Sequence, residues 1–322
     1  MVPDIPADGA DNVPAPVSHD MFVSCDLAGH RLDFAVSREL GVSRSYAKSL
    51  IKNGRVAPAD GRRVKPSTKI EVAERYVIDV PEPEKLDLEP EDVPFGVVHS
   101  DEDIIVIDKP AGLVVHPAPG HWSGTLVHGL LFRFPELGNL NGVARPGIVH
   151  RLDATTSGLM VAARNGFAQE KLWAAFKSRT VDKTYLALCH GTPRPRRARI
   201  DMPIARDLAD GKKMAVRDDG KPSVTDYETL WSAGGCSLLI CALHTGRTHQ
   251  IRVHLNAIGC PLVGDALYAP SRKNPFESPR VFLHSWKLSF KHPRSGERIS
   301  FRSFLPKDLT LFLTKTLIFD IR

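Results

Sequence analysis

Residues 81–94, PEPEKLDLEPEDVP, constrain this chain more than any other stretch. Prolines at 81, 83, 90 and 94 remove backbone donors and resist both helix and sheet, and the acids between them offer little to bury. Such a segment divides the 322 residues into two folded parts. The expected organisation is a disordered extension over residues 1–29, proline-rich at positions 3, 6, 14 and 16. A compact unit over 30–80, the acidic linker 81–94, a larger unit over 95–308 and a tail over 309–322 follow.

The smaller unit centres on GVSRSYAKSLIKNGRV, which predicts a helix with Ser43 as N-cap and Gly54 as its stop. Ala47, Leu50 and Ile51 give it an apolar face, while Arg44, Lys48 and Lys52 recur every four residues as a separate basic stripe. KPSTKIEVAERYVIDV reads as strand material. In the larger unit DEDIIVIDKP, SGLMVAARN, KTYLALCHG and SLLICALHTG read as strands. FAQEKLWAAFKSRT predicts an amphipathic helix burying Phe167, Leu172, Trp173 and Phe176, and THQIRVHLNAIG a helix closed by Gly259. WKLSFKHPRSGERISFRSFLP predicts two strands around a turn. Strands and helices do not alternate regularly, so the expected class is α+β. Its larger unit would be built on a mixed, mostly antiparallel sheet with flanking helices and loops, and its smaller unit would also be α+β.

The net charge of +6 decides little until it is divided. Residues 1–20 carry −4, 21–80 carry +4, 81–110 carry −8 and 111–322 carry +14. The basic charge therefore sits in the two units expected to fold. That is the pattern of a polyanion-binding surface with acidic linkers kept off it, or of an enzyme surface solvated by Lys and Arg. No run of about 18 apolar residues predicts a membrane span, and the N-terminal residues lack the features of a secretory leader. Five scattered cysteines, never in CxxC spacing, predict neither a disulfide framework nor a zinc knuckle, so a reducing cytoplasm is the expected compartment.

Residues 145–165, RPGIVHRLDATTSGLMVAARN, carry the strongest chemical signal. Asp153 is the sole acid between Glu136 and Glu170, and it sits among Arg145, His150, Arg151 and Arg164. A lone carboxylate surrounded by cations is kept ionised, making it a poor general acid but a usable nucleophile or anion. The competing reading is structural: Asp153 caps the turn 153–156 and pairs with Arg151. In LHTGRTHQIRVHLNAIG, residues 243–259, Arg247 and Arg252 flank His249. His244, His249 and His254 are five residues apart, about 500° around a helix, so they do not share a metal-binding face. Ser157 in TTSGL lacks the G-x-S-x-G elbow of a serine hydrolase, and no phosphate-binding GKS/T loop occurs.

GIVHRLDATTSGL resembles the signature of the RluA-type pseudouridine synthases, HRLD followed by a Thr/Ser-Gly pair. Four more blocks follow the family pattern in order: DKPAGLVVHP (108–117), KTYLALCHG (183–191), TGRTHQIRVHL (245–255) and PLVGD (261–265). Residues 30–80 resemble the RNA-binding domain named after ribosomal protein S-four. The resemblance spans about residues 30–308 and implies isomerisation of uridine to pseudouridine within RNA. The reaction exchanges one bond for another without redox change or net hydrolysis, so neither cofactor nor metal is expected. By similarity, Asp153 is the essential carboxylate and Tyr185 the active-site tyrosine able to stack on an extracted uracil. Arg252, with Arg247 as the alternative, pairs with Asp153, and Arg151 fills the gap left by the flipped base or grips its phosphate. The basic stripe of Arg44, Lys48 and Lys52 would hold RNA away from the reacting centre. Within the family the implied partner is large-subunit ribosomal RNA, taken up by a monomer with no membrane attachment. The alternatives are a transfer RNA substrate, or an RNA-binding assembly factor without catalysis.

Overall fold

The computed structural model describes residues 17–40, 42, 44–80, 88–118, 120–140, 146–270, 278 and 280–319. The chain divides into two compact units, residues 1–87 and 88–322. In the first, strands β1 (Val17–Phe22), β2 (Val56–Pro58) and β3 (Arg75–Val80) form an antiparallel sheet in the order β1-β3-β2. Alternation along β3 buries Tyr76, Ile78 and Val80. Helices α1 (Leu32–Leu40) and α2 (Arg44–Lys52) add Leu32, Ala35, Val36, Ala47, Leu50 and Ile51 to the same core. Gly54, with φ +71°, provides the left-handed stop after α2; the expected cap Ser43 lies outside the described residues.

Three expected boundaries are corrected. The extension does not run to residue 29: Val17–Phe22 pairs in register with Arg75–Val80, and Met21, Val23 and Leu27 are buried. SHDMFV runs from polar to apolar without alternating, so it carries no period-two signal in the sequence, although burial alternates along it in the structure; residues 1–16 lie outside the described residues. The linker does not run to residue 94. Residues 81–87 lie outside the described residues, but Leu88 packs on the second unit's core and Val93 is buried against Gly129. Glu91 accepts the Gly124 backbone N–H on both carboxylate oxygens, at 3.0 Å each. Proline forbids regular structure, yet it does not forbid packing. Residues 309–322 are not a separate tail either, because they begin inside a helix that buries Leu309 and Phe312.

The second unit comprises β4 (Gly96–Ser100), β5 (Ile104–Lys109), β6 (Ser157–Ala163), β7 (Asp182–His190), β8 (Arg197–Asp201), β9 (Ile204–Arg206), β10 (Met214–Val216), β11 (Val224–Ala233), β12 (Cys236–Leu243), β13 (Leu283–Lys291) and β14 (Arg298–Arg302). Its helices are α3 (Leu126–Arg133), α4 (Gly166–Lys177), α5 (Gln250–Ala257) and α6 (Lys307–Phe319). A nine-stranded sheet runs β4-β5-β6-β13-β7-β12-β11-β8, with β14 on β13. Among the described residues only β6 and β13 pair in parallel; the remaining pairings are antiparallel. The fold is thus α+β on a mixed, mostly antiparallel sheet.

Both faces of the central strands are buried, which is why residues 104–107 of β5 and 159–163 of β6 are unbroken apolar runs. Ile105, Ile107, Met160 and Tyr185 face a core completed by α3 and α5. Ile104, Val106, Leu159 and Val161 face a second core with α4, and α6 covers Leu188 and Phe282. The buried set expected for α4 is corrected: Ala168, Gln169 and Leu172 are inside, whereas Phe167 and Trp173 are exposed and Phe176 is half-buried. Phe167 instead lies beneath the cations of Lys171 and Arg294. No helix among the described residues is long and apolar enough to cross a membrane.

Candidate active site

Asp153 lies in the loop that enters β6, and that loop is anchored from below. The next residue, Ala154, accepts through its carbonyl from the Gly112 N–H at 2.8 Å and from Lys109 Nζ at 3.1 Å. Lys109 Nζ also donates to the carbonyls of Pro110 and Leu113, both at 2.9 Å, and its side chain is fully buried. Burial pulls the ammonium down to about 7, with the Asp153 charge opposing and that of Arg280 adding. Arg280 holds the other side of the loop, donating to the Thr155 carbonyl at 3.3 Å and Ser157 Oγ at 3.0 Å. Its remaining edge pairs with Asp308 on α6 at 2.7 Å. Gly158, at φ +106°, lets β6 start against β13; a Cβ there would fall 2.3 Å from the Ser285 carbonyl oxygen.

The Asp153 side chain is 17% exposed and faces α5, with Arg252 Nη1 at 3.4 Å and His249 Nε2 at 3.9 Å. Arg252 is aimed by a second carboxylate. Its Nε and Nη2 donate to the two oxygens of fully buried Asp265, both at 2.8 Å, a bidentate grip that leaves Nη1 for Asp153. Asp265 also accepts the backbone N–H groups of Leu267 and Tyr268 at 3.1 Å. Gly264, at φ +75°, makes that turn possible, since a Cβ would lie 2.1 Å from the Arg280 carbonyl oxygen. Burial opposes the charge on Arg252, but hydrogen bonding to Asp265 and the charges of Asp265 and Asp153 outweigh it and raise the guanidinium.

Tyr185 is buried on β7. Burial raises its phenol, the Asp153 charge pushes the same way, and a hydrogen bond with Ser285 opposes them. It is a neutral phenol beside the carboxylate. Two residues earlier, burial and the charges of Arg179 and Arg247 pull Lys183 down to about 8. His150 of the HRLD run is structural: it stacks on Phe176 with centroids 4.4 Å apart and accepts the Val161 N–H at 3.0 Å. Burial draws its imidazole down to about 3.

Arg252 thus reaches Asp153, and Tyr185 lies near enough for the Asp153 charge to act on its phenol. The alternative cation, Arg247, reaches the Pro222 carbonyl instead, at 3.4 Å. Arg151 is exposed on the same loop, near enough to lower the His249 imidazole by its charge. In the other unit Arg44, Lys48 and Lys52 are exposed on α2, and the first two also reach buried Asp33, at 2.8 and 4.0 Å. The three histidines at spacing five diverge. His244 pairs with Asp226, His254 with Thr225 and the Met202 carbonyl, and His249 with Tyr268. Ser157 does meet a histidine, His284, at 2.9 Å, but both are buried and the other ring nitrogen faces the Ser303 carbonyl.

Asp265, Lys109 and Tyr268 were missed as individual residues. Asp265 stands inside the PLVGD block as a single charge in an otherwise apolar run, and Lys109 inside the DKP block beside Asp108; Tyr268 carried no such signal. Among the described residues Asp101, Asp103 and His292 place ligand atoms within 4.8 Å of one another. Arg294 already engages both Asp103 oxygens at 2.6 and 2.7 Å, and the Asp103 and Ile104 N–H groups engage Asp101. This cluster ties the β4–β5 turn to the β13–β14 hairpin, at the opposite end of β5 from Lys109.

Residues 103–257 match the family model described as RNA pseudouridylate synthase. An uncharacterized RNA pseudouridine synthase of Bacillus subtilis is 42% identical over 90% of this chain and 95% of its own length. The ribosomal large subunit pseudouridine synthase D of Zymomonas mobilis is 38% identical over 91% of this chain and 96% of its own. Among solved structures, human RNA pseudouridylate synthase domain containing 1 superposes with a TM-score of 0.54 at 29% identity, covering 70% of this chain and 87% of that one.

Proposed function

Since this chain belongs to the RluA-type family of RNA pseudouridine synthases, and is an isomerase acting on RNA, we propose that Asp153 is its essential carboxylate and that its substrate is a uridine in structured large-subunit ribosomal RNA. The observation that carries the first part is the relay Asp265–Arg252–Asp153, in which one buried carboxylate aims a guanidinium at a second, partly exposed one. In the reaction the N1–C1′ bond breaks, the uracil turns, C5 bonds to C1′ and gives up its proton, and N1 takes up a proton in its place. Asp153 serves as nucleophile or as the base of a glycal route, and either role needs an anionic oxygen held at a fixed place. Tyr185 supplies an aromatic face for the extracted base. Arg151, exposed on the catalytic loop, takes the neighbouring phosphate or the gap in the stack. The first unit, resembling an S-four-like domain, grips RNA through Arg44, Lys48 and Lys52. The ribosomal assignment rests on the similarity to the ribosomal large subunit enzyme of Zymomonas mobilis.

Asp153→Asn is expected to abolish product while retaining fold and RNA binding; normal turnover by that variant refutes the assignment. Pseudouridine mapped in total RNA from cells lacking the protein, against restored cells, tests the substrate. Loss of marks in large-subunit ribosomal RNA supports the reading, and loss only in transfer RNA overturns it.

A further inference from the structure

His249 stands in an unusual position for a residue with no assigned role. It opens α5 with φ +56°, in the left-handed region that non-glycine residues rarely occupy and that histidine tolerates better than most. Its Nδ1 lies 2.9 Å from the Tyr268 hydroxyl, with the two rings edge to face. That hydroxyl also accepts the Met214 N–H at 2.9 Å and has its own proton to donate to Nδ1, the arrangement in which the imidazole carries its proton on Nε2. This atom points toward Asp153, and at 3.9 Å from Oδ2 it is too far for a hydrogen bond. Burial lowers the imidazole, with Arg252 and Arg151 adding and Asp153 and Asp265 opposing, so the ring is neutral near pH 7.

We infer that His249 is a catalytic hydrogen-bond donor whose Nε2–H, oriented by Tyr268, meets a carbonyl oxygen of the substrate uracil beside Asp153. The inference rests on Asp153 marking the reacting centre. When the N1–C1′ bond breaks, its electron pair stays with the base and spreads from N1 onto the O2 and O4 carbonyls. A preset N–H aimed at one of these oxygens gains strength as that charge develops, which lowers the barrier without tightening ground-state binding. The proton is shared, not transferred, so His249 needs no recharging between turnovers. Arg252 is aimed elsewhere: its Nε and Nη2 donate to Asp265 and its Nη1 faces Asp153.

The test uses the full chain and large-subunit ribosomal RNA from cells lacking the protein, tritiated at uridine C5, with product read as released tritium. His249→Ala is expected to lower kcat about 100-fold with little change in KM. His249→Asn tolerates the left-handed backbone and keeps an N–H donor, so it should recover much of that loss. Tyr268→Phe releases the tautomer and should lower kcat by about tenfold. Ribosomal RNA transcripts with 2-thiouridine or 4-thiouridine supply a readout that a structural role would not move. Sulfur accepts hydrogen bonds poorly, so one of the two should slow the native protein and lose its extra penalty in His249→Ala. Should His249→Ala fail to fold, the Asn and Phe variants carry the test. A kcat within about twofold of native for His249→Ala, or equal thio penalties in both proteins, overturns the inference. Asp153→Asn in the same assay separates the readings: an inactive Asp153→Asn beside a fully active His249→Ala removes only the role of His249, whereas an active Asp153→Asn removes the site itself.

Discussion

Each unit of this protein contains an aspartate surrounded by cations, and the two are built to opposite ends. Asp33 in the first unit has a fully buried side chain met by Arg31 at 2.9 Å, Arg44 at 2.8 Å and Lys48 at 4.0 Å. All three cations reach it while keeping about half of their side chains exposed, and its carboxyl is held at about 2. Asp153 in the second unit keeps an exposed edge and a single guanidinium at 3.4 Å. The saturation is transferred one step back, to Asp265, which holds Arg252 so that Asp153 need not. A saturated carboxylate stabilises a fold; one left short of partners, beside a rigidly held cation, is ready for a substrate.

The sharpest way to break that contrast is to remove the hidden member. Asp265→Ala leaves the Arg252 guanidinium buried without its bidentate partner, which costs about 3–5 kcal/mol of stability in the second unit. It also frees Arg252 to collapse onto Asp153, and kcat should fall about 100-fold as for other supports of a reacting group. Denaturant unfolding and tritium release measure the two effects. If Asp265→Ala folds as well as the native chain and turns over normally, Arg252 does not need aiming and the contrast with Asp33 fails.

How far the sequence announces this difference depends on distance along the chain. Asp153 is visible because the cations that mark it are sequence neighbours, and α2 and α5 are visible because helical periodicity and a closing glycine are local. The parallel pairing of β6 with β13 joins His284 to Ser157 across more than a hundred residues, and no local pattern encodes it. The same holds for Asp265, whose neighbours in PLVGD say nothing of Arg252 on the preceding helix. Asp33 shows the same limit: the exposed stripe of Arg44 and Lys48 follows from helical spacing, but the acid that also engages them lies in another helix. At α4 the aromatics suggested burial, but small Ala168 and Leu172 fit against β6 and left the large rings outside.

Separating the two aspartates physically sharpens the comparison further. Removing residues 1–87 takes Asp33 and the basic stripe away and leaves the Asp265–Arg252–Asp153 relay whole. The fragment is expected to fold and to keep kcat at saturating RNA, while its affinity for ribosomal RNA falls on the order of tenfold with a shallower salt dependence. Cutting instead at residue 94 also deletes Leu88, Val93 and the Glu91 contact to Gly124, at an added cost of about 2–3 kcal/mol. Filter binding across a salt series and thermal unfolding of both fragments check this. A fragment 88–322 with undiminished affinity removes the first unit from RNA binding.

The smallest effect belongs to Asp33 itself. Its hydrogen bonds from Arg31 and Arg44 depress the carboxyl to about 2 against the burial that would raise it, compared with about 3.9 in an unfolded chain. A depressed carboxyl stabilises the fold above the unfolded value and loses that stability as pH falls through the folded one, so the contribution is complete above about pH 4 and gone below about pH 2. Asp33→Asn keeps the shape and removes the charge, and should lower the protection of α1 and α2 amides by about 1 kcal/mol near pH 6. Hydrogen exchange in the full chain reads this directly, and the difference from the native protein should shrink steadily between pH 4 and 2. Because the cations of Asp33 stabilise a core and Arg252 serves a reacting centre, Asp33→Asn should leave kcat at saturating RNA within about twofold of native. A kcat loss approaching that of Asp265→Ala would mean that the two carboxylates are not opposites.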